Sequence, residues 1–192
     1  MKTTKDVYDR VSVWNSKRYD RTYNYELLVS LLEEEIQEFY DSNSKLERID
    51  AVCDTMYVAL GGLWKLQITD IEIAECFVGC SSVIPDIVEC SPYPPIMYVR
   101  TFIDAIKYGS ESGAEVSVTL IVQACMYQLS SMLGSTELAY EAMEAVCDSN
   151  DSKSIVRVPS NEKANGTDKG DYYVPPTVKL NAIIGKSHVN HH

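Results

Sequence analysis

The chain has 192 residues, of which 45% are hydrophobic, enough for one substantial core or two small ones. Its formal net charge of −11 argues against a long nucleic acid as partner, because holding many phosphates requires clustered Lys and Arg. The N-terminus is polar and no run of about 18 uninterrupted apolar residues occurs, so we expect a cytoplasmic protein with no membrane partner.

Apolar residues at helical spacing dominate the first half of the chain. The predicted helices cover residues 7–14, 27–39, 45–66 and a shorter segment that Thr69 or Asp70 caps and that ends near Cys80. Clustered prolines in SSVIPDIVECSPYPP then forbid a continued helix. This stretch is interpreted as a linker.

The second half repeats the helical pattern and then loses it. Helices are predicted over residues 97–108, 116–133 and 136–147, with GSESGAE as a break. From about Ser149 the chain is rich in polar residues, Gly and Pro, which predicts an extended tail with little regular structure. Apolar tail residues such as Leu180 suggest that the tail docks on the helices. The fold class predicted is all-α.

An internal sequence similarity suggests a duplication of the helical unit. IDAVCDTMYVALGGLW resembles TLIVQACMYQLSSML when Tyr57 is laid over Tyr127, and Leu120 and Ala124 then stand where the first copy has Asp50 and Asp54. The resulting boundaries are a catalytic repeat (1–84), a linker (85–95), a degenerate repeat (96–148) and the tail (149–192). One chain would form a pseudo-dimer, leaving a monomer or a homo-oligomer open.

Glutamates crowd the second predicted helix, where Glu34, Glu35 and Glu38 form an EExxE pattern. Positions three and four apart share a helix face, so Glu38 can converge with either partner on one ion. Alone, such a run is typical of a solvated acidic face.

Two aspartates on the next helix change that balance. Asp50 and Asp54 are four residues apart in an apolar stretch, and no Lys or Arg lies between Arg48 and Lys65 to compensate them. Divalent cations bound by both acidic helices would compensate the charges, and carboxylates suit Mg²⁺ or Mn²⁺. The alternative is that the aspartates reach water or an arginine such as Arg48 or Arg100.

These motifs resemble a known superfamily. LLEEEIQEFYDS and ERIDAVCDTMYVALG resemble the two acidic helices of the all-α NTP pyrophosphatases, which include MazG, the dimeric dUTPases and phosphoribosyl-ATP pyrophosphohydrolase. CDSNDSK and KANGTDKGDYYVPP resemble the tail of phage-encoded members. In the family the SNxSK element follows the acidic helices directly, whereas here it follows the second repeat. Glu47 with Asp50 meets the ExxD form of MazG only loosely.

The resemblance implies a Mg²⁺-dependent hydrolase that splits an NTP or dNTP into a monophosphate and pyrophosphate, in the host cytoplasm if phage-encoded. The implied metal ligands are Glu35, Glu38, Asp50 and Asp54, with Glu34 or Glu35 orienting the attacking water as general base. The implied substrate contacts are Asn150, Lys153, Lys163, Lys169 and Tyr172, and a base pocket is placed at Trp14, Asn15 and Tyr57.

Two other readings stay open. A non-catalytic protein could bind or sequester a nucleotide on the same bundle, or a helical interaction module could expose its acids to solvent. Which nucleotide is bound does not follow from these motifs.

Overall fold

The computed structural model describes residues 2–68, 95–155 and 169–189, and in these ranges the chain is helical without a strand, as predicted. The elements are α1 (Thr4–Ser16), α2 (Tyr25–Asp41), α3 (Lys45–Lys65), a 3-10 turn (Pro95–Tyr98), α4 (Val99–Tyr108), α5 (Glu111–Leu133), α6 (Thr136–Asp151) and α7 (Thr177–Val189). The helix predicted to end near Cys80 and the proline-rich linker lie outside the described ranges.

Side-chain caps fix where most of these helices begin. A Ser, Thr or Asn side chain accepts a backbone N–H of the first turn at five of them, namely Thr3, Asn24, Ser44, Ser110 and Ser135. Because Ser110 accepts from the Gly113 amide at 3.3 Å, α5 starts at Glu111 and the predicted GSESGAE break is shorter than expected. Gly134, with φ of 79°, ends α5 in the left-handed conformation that glycine permits.

The core lies where α3 packs against α5. The hairpin of α2 and α3 and the hairpin of α4 and α5 meet along these two central helices, and α1, α6 and α7 cover α3 from other sides. Fully buried side chains line the contact, among them Ile49, Met56, Leu60, Leu63, Ile121 and Leu129. Burial of this apolar surface is the main driving force for the fold.

The helical segment Ser112–Leu133 in α5 has the length and mean hydropathy (1.4) of a membrane span, but 61% of it is buried inside the protein. A core helix of a soluble protein passes the same test. Its position against α3 accounts for its composition.

The predicted tail of little regular structure is wrong at both ends. Helix α6 continues to Asp151, and residues 177–189 form α7. Leu180 and Ile183 are three residues apart and both are buried, so α7 has an apolar stripe that docks on α6 and α3. The docking of the tail is therefore as predicted, but a helix achieves it.

The internal repeat and the boundaries drawn from it stay predictions. Both halves contain a helical hairpin, but the overlaid tyrosines differ: Tyr57 is 9% exposed and Tyr127 is 41% exposed.

Three of the six cysteines lie in the described ranges, and all three are free and buried: Cys53, Cys125 and Cys147. They pack as small hydrophobic side chains.

Two adjacent glycines in α3 test how closely α2 packs on it. A Cβ at Gly62 would lie 2.9 Å from Cδ2 of the buried Leu28, whereas a Cβ at Gly61 would lie 3.4 Å from Nδ2 of Asn15. Alanine gains up to about 1 kcal/mol of helix propensity at either position, but overpacking costs about 1–3 kcal/mol. We expect Gly62→Ala to lower the free energy of unfolding in urea and Gly61→Ala to raise it. Equal effects would contradict the close packing.

Candidate functional site

The α2–α3 hairpin carries the predicted acids on facing helices. Glu35 and Glu38 are one turn apart on α2, and Asp50 and Asp54 are one turn apart on α3. We call these four residues the acid cluster. Glu35, Asp50 and Asp54 are partly buried, while Glu38 is exposed.

The pKa of Asp54 is the clearest indication that these acids lie near one another. Burial raises its pKa well above the usual value, and the nearby charges of Glu35 and Asp50 raise it further. Lys153 acts in the opposite direction and lowers the pKa. A carboxylate of α2, two of α3 and an ammonium from the end of α6 therefore lie within electrostatic range of one another.

Asp50 adds a second indication. Burial first, and then the charge of Glu38, raise its pKa, whereas Lys169 lowers it. Its Oδ1 is buried and has no hydrogen-bond partner within the described residues. An acceptor-only oxygen in this situation carries an uncompensated desolvation cost.

A divalent cation fits this arrangement. Mutually repelling carboxylates and an orphaned acceptor oxygen are what a hard cation would relieve, and oxygen is the ligand that Mg²⁺ prefers. In residues 2–68, 95–155 and 169–189, however, no three His, Cys, Asp or Glu side chains already form a finished metal-binding group. The acid cluster therefore does not form such a group in this structure.

The other acids of the hairpin have separate tasks. The Glu47 carboxylate accepts from the backbone N–H groups of Asn43 (2.7 Å) and Ser44 (2.9 Å), which completes the capping box of α3 and lowers the pKa of Glu47. The ExxD combination of Glu47 with Asp50 is thus engaged elsewhere. Glu33 pairs with Lys107 of α4, and Glu34 is exposed.

Two of the predicted tail lysines approach the acid cluster. Lys153 donates to Oδ1 of Asn150 at 2.8 Å, and its charge lowers the pKa of Asp54. Lys169 lies 5.3 Å from the ring centre of Tyr173, and its charge lowers the pKa of Asp50. Lys163 lies outside the described residues. Cations from the second half of the chain thus face acids from the first half.

Two other predicted tail contacts are placed differently. Asn150 is only 7% exposed, and its amide bonds the Val146 carbonyl and Lys153. Tyr172 is 89% exposed, whereas the unpredicted Tyr173 accepts a long hydrogen bond from Ser149 (3.4 Å). The YY pair gave no signal for choosing between the two tyrosines.

The predicted base-pocket residues lie near one another but are packed. Trp14 and Tyr57 meet edge to face at 5.7 Å between ring centres, and Asn15 bonds the Val11 carbonyl at 2.9 Å. All three are buried. Sequence reasoning missed a fourth member, Arg18, whose guanidinium stacks on Trp14 at 4.1 Å.

A groove away from the acid cluster lies between α6 and α7. A volume of about 570 Å³ separates α6 from α7, and charged pairs line it: Lys2–Glu144, Lys179–Asp148 and Lys186–Glu141. These pairs neutralise one another, and no acid-cluster residue lines this groove. Its ion pairs hold α7 against α6, and we do not interpret this groove as the candidate functional site.

Part of the chain is similar to a known family. Residues 7–77 match the family model of phosphoribosyl-ATP pyrophosphohydrolase. We call these residues the pyrophosphohydrolase-family segment. The family is part of the MazG-like all-α NTP pyrophosphatase superfamily and consists of hydrolases acting on acid anhydrides. Searches of curated proteins and of solved structures gave no match.

The pyrophosphohydrolase-family segment includes every acid of the cluster. It ends before Lys153 and Lys169, so the match covers the acidic half of the site. The cations that face this half are supplied by α6 and the tail.

The raised pKa of Asp54 predicts how stability changes with pH in the absence of metal. The folded protein holds the Asp54 proton more tightly than the unfolded chain does, so this group lowers stability as pH rises above 3.8, the ordinary pKa of an aspartate. In EDTA, Asp54→Asn should raise the melting temperature at neutral pH and have no such effect below about pH 3. Each ~1 kcal/mol would appear as about 2–4 °C. A lower melting temperature at neutral pH would show that the carboxylate is already paired.

Proposed function

We propose that the chain is a Mg²⁺-dependent nucleotide pyrophosphohydrolase that cleaves an NTP or dNTP to a monophosphate and pyrophosphate. The observation that carries this proposal is the pairing of partly buried Asp50 and Asp54 with Glu35 and Glu38 inside the segment that matches a pyrophosphohydrolase family. A solvated acidic face would have left these aspartates in water.

The acid cluster would hold Mg²⁺, or Mn²⁺ in its place. The orphaned Oδ1 of Asp50 supports this assignment, as does the mutual repulsion that raises the pKa of both aspartates. When bound, the cations would neutralise phosphate charge and make the attacking water more acidic.

The chain itself would position the water and the phosphates. Glu35 is favoured over Glu34 as general base because its charge is the largest electrostatic contribution to the raised pKa of Asp54. It would take one proton of the water while the water oxygen bonds to the α phosphorus. The bond from that phosphorus to the bridging oxygen breaks, and pyrophosphate leaves with the electron pair.

The tail would hold the leaving group. Lys153 and Lys169 face the cluster and would bind the β and γ phosphates as charge-assisted donors. Lys163 and Tyr172 remain predictions for the same task. Asn150 would act through Lys153, because its buried amide already holds that ammonium.

The choice of nucleotide, the phage origin, the host-cytoplasm location and the oligomeric state are predictions from motifs. A substrate panel addresses the first. Purified protein with Mg²⁺ is incubated with each NTP, each dNTP and phosphoribosyl-ATP in ¹⁸O-labelled water. Attack at the α phosphorus puts the label in the monophosphate, whereas attack at the β phosphorus puts it in pyrophosphate. Binding without turnover for every nucleotide would instead favour the sequestering protein.

Substitution within α2 tests the general base. Glu35→Gln should lower kcat by about 10²–10⁴-fold, the usual range for loss of a positioned base. Glu33→Gln is the matched control, because Glu33 lies on the same helix but pairs with Lys107. We expect kcat of the control to stay within the error of wild type. Similar losses in both variants would mean that net charge, not position, matters.

Metal dependence of stability tests the cluster independently of turnover. Mg²⁺ should raise the melting temperature of wild type, since an ion that binds only the folded state stabilises it by mass action. It should not do so for Glu38→Gln. A metal-independent curve for wild type would favour an interaction module with solvated acids.

A further inference from the structure

Arg18 is an unusual buried cation. It is 3% exposed, and no carboxylate within the described ranges pairs with it. Its guanidinium stacks on Trp14 at 4.1 Å, and its Nε has no hydrogen-bond partner there. Burying an arginine without a counter-ion is costly, so its remaining contacts require an explanation.

The hydrogen bonds of Arg18 fall on the residues that follow α6. Nη2 of Arg18 donates to the carbonyls of Lys153 (2.9 Å) and Ser154 (3.1 Å), just beyond the C-cap residue Ser152. Nε1 of Trp14 donates to the carbonyl of Asn150, in the last turn of α6, at 2.8 Å. A positive charge is favourable near a helix C-terminus, so α1 and the residues after it cap this end of α6 and the two residues beyond it.

The capped residues include the lysine that faces the acids. The Lys153 ammonium donates to Oδ1 of Asn150 at 2.8 Å, and its charge lowers the pKa of Asp54. We propose that Arg18, with Trp14, is a positioning residue that locks the end of α6 and directs the Lys153 ammonium at the acid cluster, where it would hold nucleotide phosphates. This inference rests on the proposed function only for what Lys153 binds.

Lysine should not replace arginine here. The guanidinium combines a flat face for Trp14 with several donors in the ring plane, whereas an ammonium offers a point charge that cannot stack and bridge two carbonyls in the same way. Arg18→Lys therefore keeps the charge and removes the positioning.

A double-mutant cycle separates positioning from general damage. Kd is measured for the α,β-methylene analogue of the best substrate, with Mg²⁺, in Arg18→Lys, Lys153→Met and the double variant. Lys153→Met should weaken binding about 10- to 100-fold, as expected for loss of a charged hydrogen bond. Arg18→Lys should weaken it about 10-fold and raise KM with kcat nearly unchanged. The double variant should bind no worse than Lys153→Met. Multiplying losses would overturn the proposal.

Arg21→Lys is the matched control. Arg21 lies on the same connection and stacks on Trp64 at 5.2 Å, but it makes no contact with the described end of α6. Its Kd and KM should equal those of wild type. A loss equal to that of Arg18→Lys would overturn the proposal.

A milder variant and a ligand-free measurement guard against misfolding and against failure of the proposed function. Trp14→Phe keeps a ring beneath Arg18 and removes the donor to Asn150, so it should weaken binding less than Arg18→Lys. With ¹³Cε-labelled lysine, the Lys153 signal, identified by its absence in Lys153→Met, should move to the position of a mobile lysine in Arg18→Lys. An unchanged Lys153 signal would refute the positioning role. If wild type binds no nucleotide, the proposed function fails, and this spectrum alone decides the role of Arg18.

Discussion

The structure is organised around carboxylates that are withdrawn from water with no Lys or Arg between Arg48 and Lys65 on the helix of the two aspartates. Asp50 and Asp54 lie in the most deeply packed helix, opposite Glu35 and Glu38, and burial raises the pKa of both aspartates. This arrangement destabilises the metal-free fold, because ionised oxygens lose hydration. The apolar contact of α3 with α5 offsets that cost. The core thus keeps a strained acidic site in place.

The lysines whose charges lower the pKa of these aspartates come from far along the chain. Lys153 follows α6 and Lys169 precedes α7, and both reach the α2–α3 hairpin only because those helices dock on α1 and α3. Arg10 strengthens this docking through Glu144, Asp148 and Asp151 of α6. The pyrophosphohydrolase-family segment therefore contains the acid cluster, and the lysines that lower the pKa of its aspartates come from the remainder of the chain.

The contacts of the C-terminal region hold it against α6. α7 is anchored by buried Leu180 and Ile183 and by Lys179 and Lys186, which pair with acids of α6. The Val174 amide donates to Ser152 at 2.8 Å, which connects the residues before α7 to the end of α6. The chain next to Lys153 and the chain after Lys169 are therefore both held in place, and such preorganisation would lower the entropy lost if the two lysines bind phosphate as proposed.

Local chemistry in the sequence was sufficient for α1 to α6 and for the acid pairs, because apolar spacing, capping residues and the four-residue interval of Asp50 and Asp54 are properties of a single helix. It was insufficient for α7, because polar neighbours of its two buried apolar side chains, Leu180 and Ile183, obscure the helical pattern. It was also insufficient for Arg18, about which the motifs say nothing. Only tertiary packing decided that the Arg18 guanidinium lies at the residues after α6, because its partners are backbone carbonyls 135 and 136 residues further along the chain. Carbonyls are present at every residue, and proximity alone selects among them.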